Sequence, residues 1–131
     1  MFKNCEHEKL FRITKFLKIL IIIILRFDKL NNTKILCDIS FEERLNLKKY
    51  VDTDFILNED CVYELKGIIN HDGELELGHY YSYVKLEKNN FWYEFIDDRI
   101  KKIHWEFSGN NNVYSLINLS NKVWSIIKFK S

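Results

Sequence analysis

The run Ile19-Leu-Ile-Ile-Ile-Ile-Leu25 is seven apolar residues long, five of them isoleucine, and it constrains the fold of this chain more than any other segment. Branching at Cβ restricts χ1 in a helix and packs well on a pleated surface, so a strand is predicted. Because no polar residue alternates with the apolar ones, the run reads as a buried strand that needs a covering layer. Lys18 and Arg26 bound it, and it is far short of the roughly 20 residues that cross a bilayer as a helix. A secretory leader does not fit either, since Glu6, Glu8 and several lysines precede the run and no small-residue cleavage site follows. No membrane partner is expected.

Such a strand needs a core around it, and the composition supplies one. The 131 residues, 47% apolar and 30% charged, make one domain at most, or part of one. Lys plus Arg number 20 against 19 Asp plus Glu, without a basic stripe for a phosphate backbone, so no nucleic-acid partner is expected. Ala, Gln and Pro are absent while Lys, Asn, Ile, Phe and Tyr abound. That pattern looks like a coding bias, which lowers the weight of any single Ile or Asn. Cys5, Cys37 and Cys61 form an odd set without short spacing. They fit a reduced compartment, the cytoplasm or the nucleus, better than a disulfide framework. No cofactor motif is present, and the oligomeric state is not legible.

Along the chain, Phe11 to Lys15 alternates and Ile19 to Phe27 continues as a second strand. Asp28 to Thr33 is a polar turn, and Lys34 to Asp38 reads as a short strand. Ser40-Phe-Glu-Glu43 has capping-box spacing and suits the start of a helical turn. Asp52 to Asp60 is an acidic surface loop. Val62 to Asn70 is a strand, and His71 to Gly78 a loop with Gly73 and Gly78 within it. His79 to Leu86 and Phe91 to Ile96 form a hairpin around Lys88-Asn-Asn90. Ile100 to Ile103, Val113 to Asn118 and Val123 to Phe129 are further strand candidates. The expected class is α+β, mostly antiparallel β with little helix.

The chemistry concentrates in Gly78-His-Tyr-Tyr-Ser-Tyr-Val-Lys85 and Phe91-Trp-Tyr-Glu-Phe-Ile-Asp-Asp98. A histidine that opens a strand beside a glycine is rigidly held at an accessible edge, which suits a general base. The hairpin returns aspartates to the same strand end, where a carboxylate can fix the imidazole tautomer. On spacing alone, a histidine beside tyrosines on a strand is more often a packed or surface residue.

These words, in this order, resemble the His box of the ubiquitin-specific proteases, the papain-like cysteine deubiquitinases. Tyr63-Glu-Leu-Lys-Gly-Ile-Ile-Asn-His71-Asp-Gly73 is similar to the strand and blocking loop before the catalytic histidine. Gly78-His79-Tyr80 with Tyr83-Val84-Lys85 is similar to the His motif. Trp92-Tyr-Glu-Phe95 with Asp97 and Ile100 resembles the closing segment, and Val113-Tyr-Ser-Leu-Ile117 the last core strand. Upstream, Phe11 to Phe27 is similar to the strand that ends Leu-Lys-Arg-Phe in the family, with Leu17, Ile23 and Leu25 departing from its usual Pro, His and Lys. The segments around Lys34-Ile35 to Phe41, Leu45-Asn-Leu47 and Tyr50-Val51 follow in the family's order.

The resemblance implies the palm and fingers sheet portion of a papain-like cysteine protease domain. It divides the chain into an N-terminal remnant (1–10), the C-terminal part of the catalytic domain (11–118) and a tail or added strand (119–131). It implies a thiol-dependent hydrolase that cuts after the C-terminal glycine of ubiquitin, with ubiquitin or ubiquitinated proteins as partners. His79 would be the base, with Gly78 and Tyr80 lining the channel for the ubiquitin tail. The loop from His71 to Leu77 would block that channel, its Asp72, Glu74 and Glu76 either attracting a basic substrate residue or merely solvating the loop. The third triad position falls on Ile96 in an ungapped reading. Asp97 takes it after a one-residue insertion, and is the expected orienter. Strand alternation turns Asp97 away from His79 unless a bulge intervenes. The family's nucleophile box, Gly-Asn-Thr-Cys-Tyr, is missing from the sequence. A catalytically inactive ubiquitin-binding or scaffold protein is therefore the alternative. Cys5 could be a remnant of metal-binding fingers, but one cysteine cannot build a tetrahedral site, so no metal is expected.

Overall fold

The computed structural model describes residues 11–28, 30–52, 61–74, 77–104, 112–120 and 129–130. The strands are, in order, β1 (Arg12–Ile13), β2 (Ile19–Ile23), β3 (Phe27–Asp28), β4 (Thr33–Lys34), β5 (Arg44–Asn46) and β6 (Val62–Gly73). Then come β7 (Gly78–Leu86), β8 (Phe91–Ile96), β9 (Arg99–Ile103), β10 (Val113–Ser120) and β11 (Phe129–Lys130). Seven of them make one sheet in the order β2-β10-β6-β7-β8-β9, with β5 beside the start of β6. Every ladder is antiparallel.

The 12 residues of β6 form the spine, shared by β10 on one side and by β5 and then β7 on the other. Ile117 pairs with Gly67 and Asn118 with Leu65, which leaves Lys66 unopposed. This bulge switches the buried set from Tyr63 and Leu65 before it to Ile68 and Asn70 after it. One core gathers Leu65, Ile68, Trp92, Val113 and Leu116, with Ile22, Phe41, Tyr83 and Ile103 packed against them. A second joins Phe16, Leu47, Val51 and Tyr63, where the Tyr63 hydroxyl donates to the Leu17 carbonyl at 2.6 Å.

The isoleucine run is a strand, but not a buried one. Only Ile19–Ile23 pairs, and β2 lies at the end of the sheet. Leu20 and Ile22 turn inward while Ile19, Ile21 and Ile23 stay 50%, 57% and 57% exposed. The expected Lys34 to Asp38 strand shortens to Thr33–Lys34, because the fully buried Arg26 takes the Ile35 and Cys37 carbonyls, each at 2.9 Å, and the Val113 carbonyl at 2.6 Å. Ser40 to Glu43 forms no helical turn. The Glu43 carbonyl accepts from Leu65 N–H and its carboxylate from Lys85, so that segment is held extended against the sheet. The helical turn among the described residues is a 3-10 turn at Lys48–Tyr50.

The Phe11 to Lys15 strand contracts to Arg12–Ile13, paired with Phe129 and Lys130. The Phe91–Ile96 strand stands as expected, and the expected Lys88 to Asn90 turn begins one residue earlier, at Glu87, with Asn90 at φ 58° and its N–H donated to the Leu86 carbonyl at 2.8 Å. The Asp52 to Asp60 loop, beyond Asp52, and most of the Val123 to Phe129 strand lie outside the described residues.

Candidate active site

The expected loop from His71 to Gly78 is shorter in the structure. Strand pairing runs on through His71↔Tyr80, Asp72↔His79 and Gly73↔Gly78, leaving residues 74–77 as the connection. Ile68-Ile69 carries the extended backbone past Asn70, and Gly73, at φ 101°, is the residue that can leave the ladder. His71 and Asp72 are therefore strand residues, not loop residues.

His79 stands second in β7 and faces the turn at the far end of β8. Its Nε2 lies 3.5 Å from Asp97 Oδ1, with the two side chains 52% and 69% exposed. No bulge achieves this, since β7 and β8 pair without a register shift from Ser82↔Phe95 to Leu86↔Phe91. Asp97 has instead left the strand. It opens the two-residue turn between the paired Ile96 and Arg99 at φ 51°, a left-handed conformation that Asp tolerates better than most residues. The alternation rule that turned it away does not hold beyond Ile96. A separation of 3.5 Å is ion-pair range and longer than a direct bond of about 2.7–3.2 Å; catalytic contacts are often long before substrate binds. Nε2 is the ring nitrogen that faces the carboxylate, and an imidazole whose proton sits on Nε2 keeps Nδ1 as its acceptor.

Asp72 sits opposite His79 in register, on the same face by strand alternation. Placing it in a loop hid this second carboxylate, and only a β6 drawn through Gly73 would have revealed it.

Gly78 and Tyr80 flank His79 on the other face. His71, 3% exposed, lies between them with its ring centroid 4.6 Å from that of Tyr80 and edge-on to Phe27 at 5.4 Å. Tyr80 is 52% exposed and meets Tyr114 at 5.6 Å, which makes an aromatic wall beside the glycine. A Cβ on Gly78 would run into the His71 imidazole and would come 2.8 Å from the Asp72 carbonyl oxygen. The glycine thus has a packing reason besides any close approach of a substrate. Lys34 Nζ donates to the carbonyls of His71 (2.6 Å) and Gly73 (3.0 Å), pinning the end of β6. Burial holds the His71 imidazole below its ordinary pKa, the Lys34 charge adds to this, and Asp72 opposes it.

Comparison with known proteins decides what this arrangement belongs to. A model of the family described as ubiquitin carboxyl-terminal hydrolase matches residues 2–119. The chain belongs to the ubiquitin carboxyl-terminal hydrolase family. A probable ubiquitin carboxyl-terminal hydrolase of Acanthamoeba polyphaga mimivirus is 33% identical over 124 residues, covering 86% of this chain and 26% of that protein. Ubiquitin carboxyl-terminal hydrolase 15 of Schizosaccharomyces pombe is 37% identical over 62 residues, covering 47% and 6%. Among solved structures, a SAGA DUB module of Ubp8, Sgf11, Sus1 and Sgf73 bound to monoubiquitin aligns with TM-score 0.69 at 30% identity, over 81% of this chain and 24% of that one. The chain thus spans about a quarter or less of these relatives, and its mostly antiparallel sheet corresponds to part of their domain.

For a family whose members are cysteine hydrolases, the described cysteines of this chain lie in other settings. Cys37 Sγ is 3.8 Å from Arg26 Nη1. Cys61 immediately precedes β6, eleven residues before Asp72, which at about 3.3 Å per residue is about 36 Å of strand. Among the described residues no group of three or more His, Cys, Asp or Glu gathers to hold a metal, and no helix is long and apolar enough to cross a membrane.

Proposed function

We propose that this chain is the histidine-bearing part of a thiol-dependent deubiquitinase, cleaving after the C-terminal glycine of ubiquitin when a nucleophile-bearing half completes it. The observation that carries this reading is the facing pair His79 and Asp97, 3.5 Å apart, on a chain of this family. Asp97 orients the imidazole, and His79 Nδ1 takes the proton from the thiol supplied by the completing half. The protonated ring then returns that proton to the leaving amine. Gly78 and Tyr80 line the path of the ubiquitin tail, Tyr80 through its exposed ring. Ubiquitin or a ubiquitinated protein is the partner, and an odd set of three cysteines without short spacing fits the cytoplasm or the nucleus. A second reading, a non-catalytic ubiquitin-binding protein of the same family, rests on the described cysteines, since Cys37 lies against Arg26 and Cys61 precedes β6, at the opposite end from Asp72.

A fluorogenic ubiquitin conjugate tests both. The chain alone is expected to release no fluorophore, and release is expected once a family N-terminal half carrying the nucleophile box is added, lost again with His79→Ala. Thiol-dependent release by the chain alone, lost in His79→Ala, would overturn the need for a second half. Ubiquitin binding without release after complementation supports the non-catalytic reading. No binding and no release removes both.

A further inference from the structure

We infer that His71 is a positioning residue for His79, a flat wedge whose ring occupies the space of the missing Gly78 side chain and so fixes where β7 begins. The inference rests on the proposed role of His79 as base. His71 is 3% exposed, yet its Nδ1 has no hydrogen-bond partner among the described residues. An unpaired polar atom in a buried site costs about 1–3 kcal/mol, so phenylalanine would fill the same space more cheaply on stability grounds alone.

What the ring does is geometric. On one side it lies tilted against Tyr80 at 4.6 Å, on another it makes a T-shaped contact with Phe27 at 5.4 Å, and it meets Gly78 where a Cβ would stand. Gly78 and Tyr80 are the two neighbours of His79 in sequence. Both are thereby held on the face opposite the base, and alternation sends the His79 side chain the other way, toward Asp97. The backbone under the wedge is fixed as well. His71 N–H donates to the Asn112 carbonyl at 2.8 Å, and its carbonyl accepts from Lys34. The wedge therefore cannot retreat without moving β6, so a side chain added at residue 78 must displace β7 instead.

The test is imidazole nitrogen NMR on the full chain labelled only at histidine, which contributes four residues, assigned by single substitutions. The balance between the Nδ1–H and Nε2–H tautomers of His79 reports whether the ring still faces Asp97. Gly78→Ala and His71→Ala are each expected to reduce the His79 Nε2–H preference at least twofold while the remaining amide pattern stays folded. His71→Phe, which keeps a flat ring, is expected to preserve it. The pair His71→Ala with Gly78→Ala is expected to recover part of the loss, since the new methyl enters the vacated space. Where His71→Ala fails to fold, His71→Leu keeps the core filled without the flat face, and the same twofold loss is expected. Unchanged His79 signals in folded Gly78→Ala and His71→Ala or His71→Leu would overturn the inference, leaving His71 a packing residue only. Ubiquitin binding measured on the same samples separates the two readings. No binding by the unsubstituted chain, with responsive His79 signals in the variants, counts against the ubiquitin role, and silent His79 signals with intact binding against the wedge.

Discussion

Asp97 reaches the Nε2 edge of His79, at 3.5 Å, from the first position of a two-residue turn in which its own φ is 51°. Side chains other than Gly, Asn and Asp are strained in that region, by about 1–3 kcal/mol. Asp97 thus combines a carboxylate with a backbone that tolerates the turn. Asp97→Asn keeps the tolerance and removes the charge. The fold is expected to survive unchanged, and the His79 tautomer preference to fall about two- to fivefold, corresponding to about 0.5–1 kcal/mol for an exposed pair. Imidazole nitrogen shifts at neutral pH measure it. Equal tautomer ratios in the two proteins would show that Asp97 does not orient His79.

The hairpin of β7 and β8 was legible because Tyr81 and Tyr83 alternate around Ser82, Phe91 to Ile96 is a second short run rich in aromatics, and Lys88-Asn89-Asn90 marks the turn between them. The return of an aspartate to His79 was legible as well, but the way Asp97 turns toward it was not, because that depends on one positive φ that composition does not encode. The bulge at Lys66 was hidden by Glu64 and Lys66, whose spacing fits an unbroken strand. Arg26 looked like the charged flank of an apolar run. Its burial, and the three backbone carbonyls it binds, depend on segments distant in sequence. The exposure of Ile21 and Ile23 was equally out of reach, since a β-branched run specifies a strand and not what covers it.

His71 makes folding sensitive to acid. Its pKa is held below the ordinary histidine value of 6.5 by burial and by Lys34, with Asp72 opposing. The folded state therefore binds the proton less readily than the unfolded chain. Where the unfolded state carries more protons, stability rises with pH. The contribution of the neutral ring is complete above the unfolded value near 6.5 and is lost as pH falls below it, toward the depressed folded value. Denaturant midpoints at pH 7.5, 6.5 and 5.5 should fall in that order, and His71→Phe should flatten the series. An equally steep series in His71→Phe would assign the acid sensitivity to other groups.

Lys85 clips three segments together. Its side chain is 6% exposed and donates to Glu64 Oε1 at 3.1 Å and to Glu43, so β7, β6 and the segment before β5 meet at one ammonium. Burial disfavours its charge, but the two carboxylates outweigh burial and raise its pKa. Burial likewise pushes Glu64 up, while its bonds to Lys66 and Lys85 bring it below its ordinary value. Removing one partner of a fully buried pair costs about 3–5 kcal/mol. Here Glu43 is 38% and Glu64 23% exposed, so Lys85→Ala is expected to cost about 1–2 kcal/mol. Chemical denaturation measures this, and a double-mutant cycle with Glu64→Gln should show coupling. The Glu64 share persists above its unfolded value near 4.5 and fades as pH falls through the lower folded one. Additive losses in the cycle would mean that the Lys85–Glu64 contact stabilises nothing.

Ile21 and Ile68 separate the two faces of the sheet energetically. Both are isoleucines on strands, yet Ile21 is 57% exposed and Ile68 fully buried in the cluster of Leu65, Trp92 and Leu116. Truncating Ile68 to Ala removes methyl and methylene groups from a packed site and is expected to cost about 2–5 kcal/mol. Ile21→Lys places a charge where the side chain already meets solvent, and a change within about 0.5 kcal/mol is expected. The same lysine interrupts the apolar stripe of Ile19, Ile21 and Ile23 on a strand at the sheet's end, where charge opposes edge-to-edge association. Light scattering across a concentration series should therefore show less self-association for Ile21→Lys than for the parent chain, with the denaturation midpoint unchanged. A loss of stability in Ile21→Lys comparable to that of Ile68→Ala would show that the stripe is covered in the folded chain.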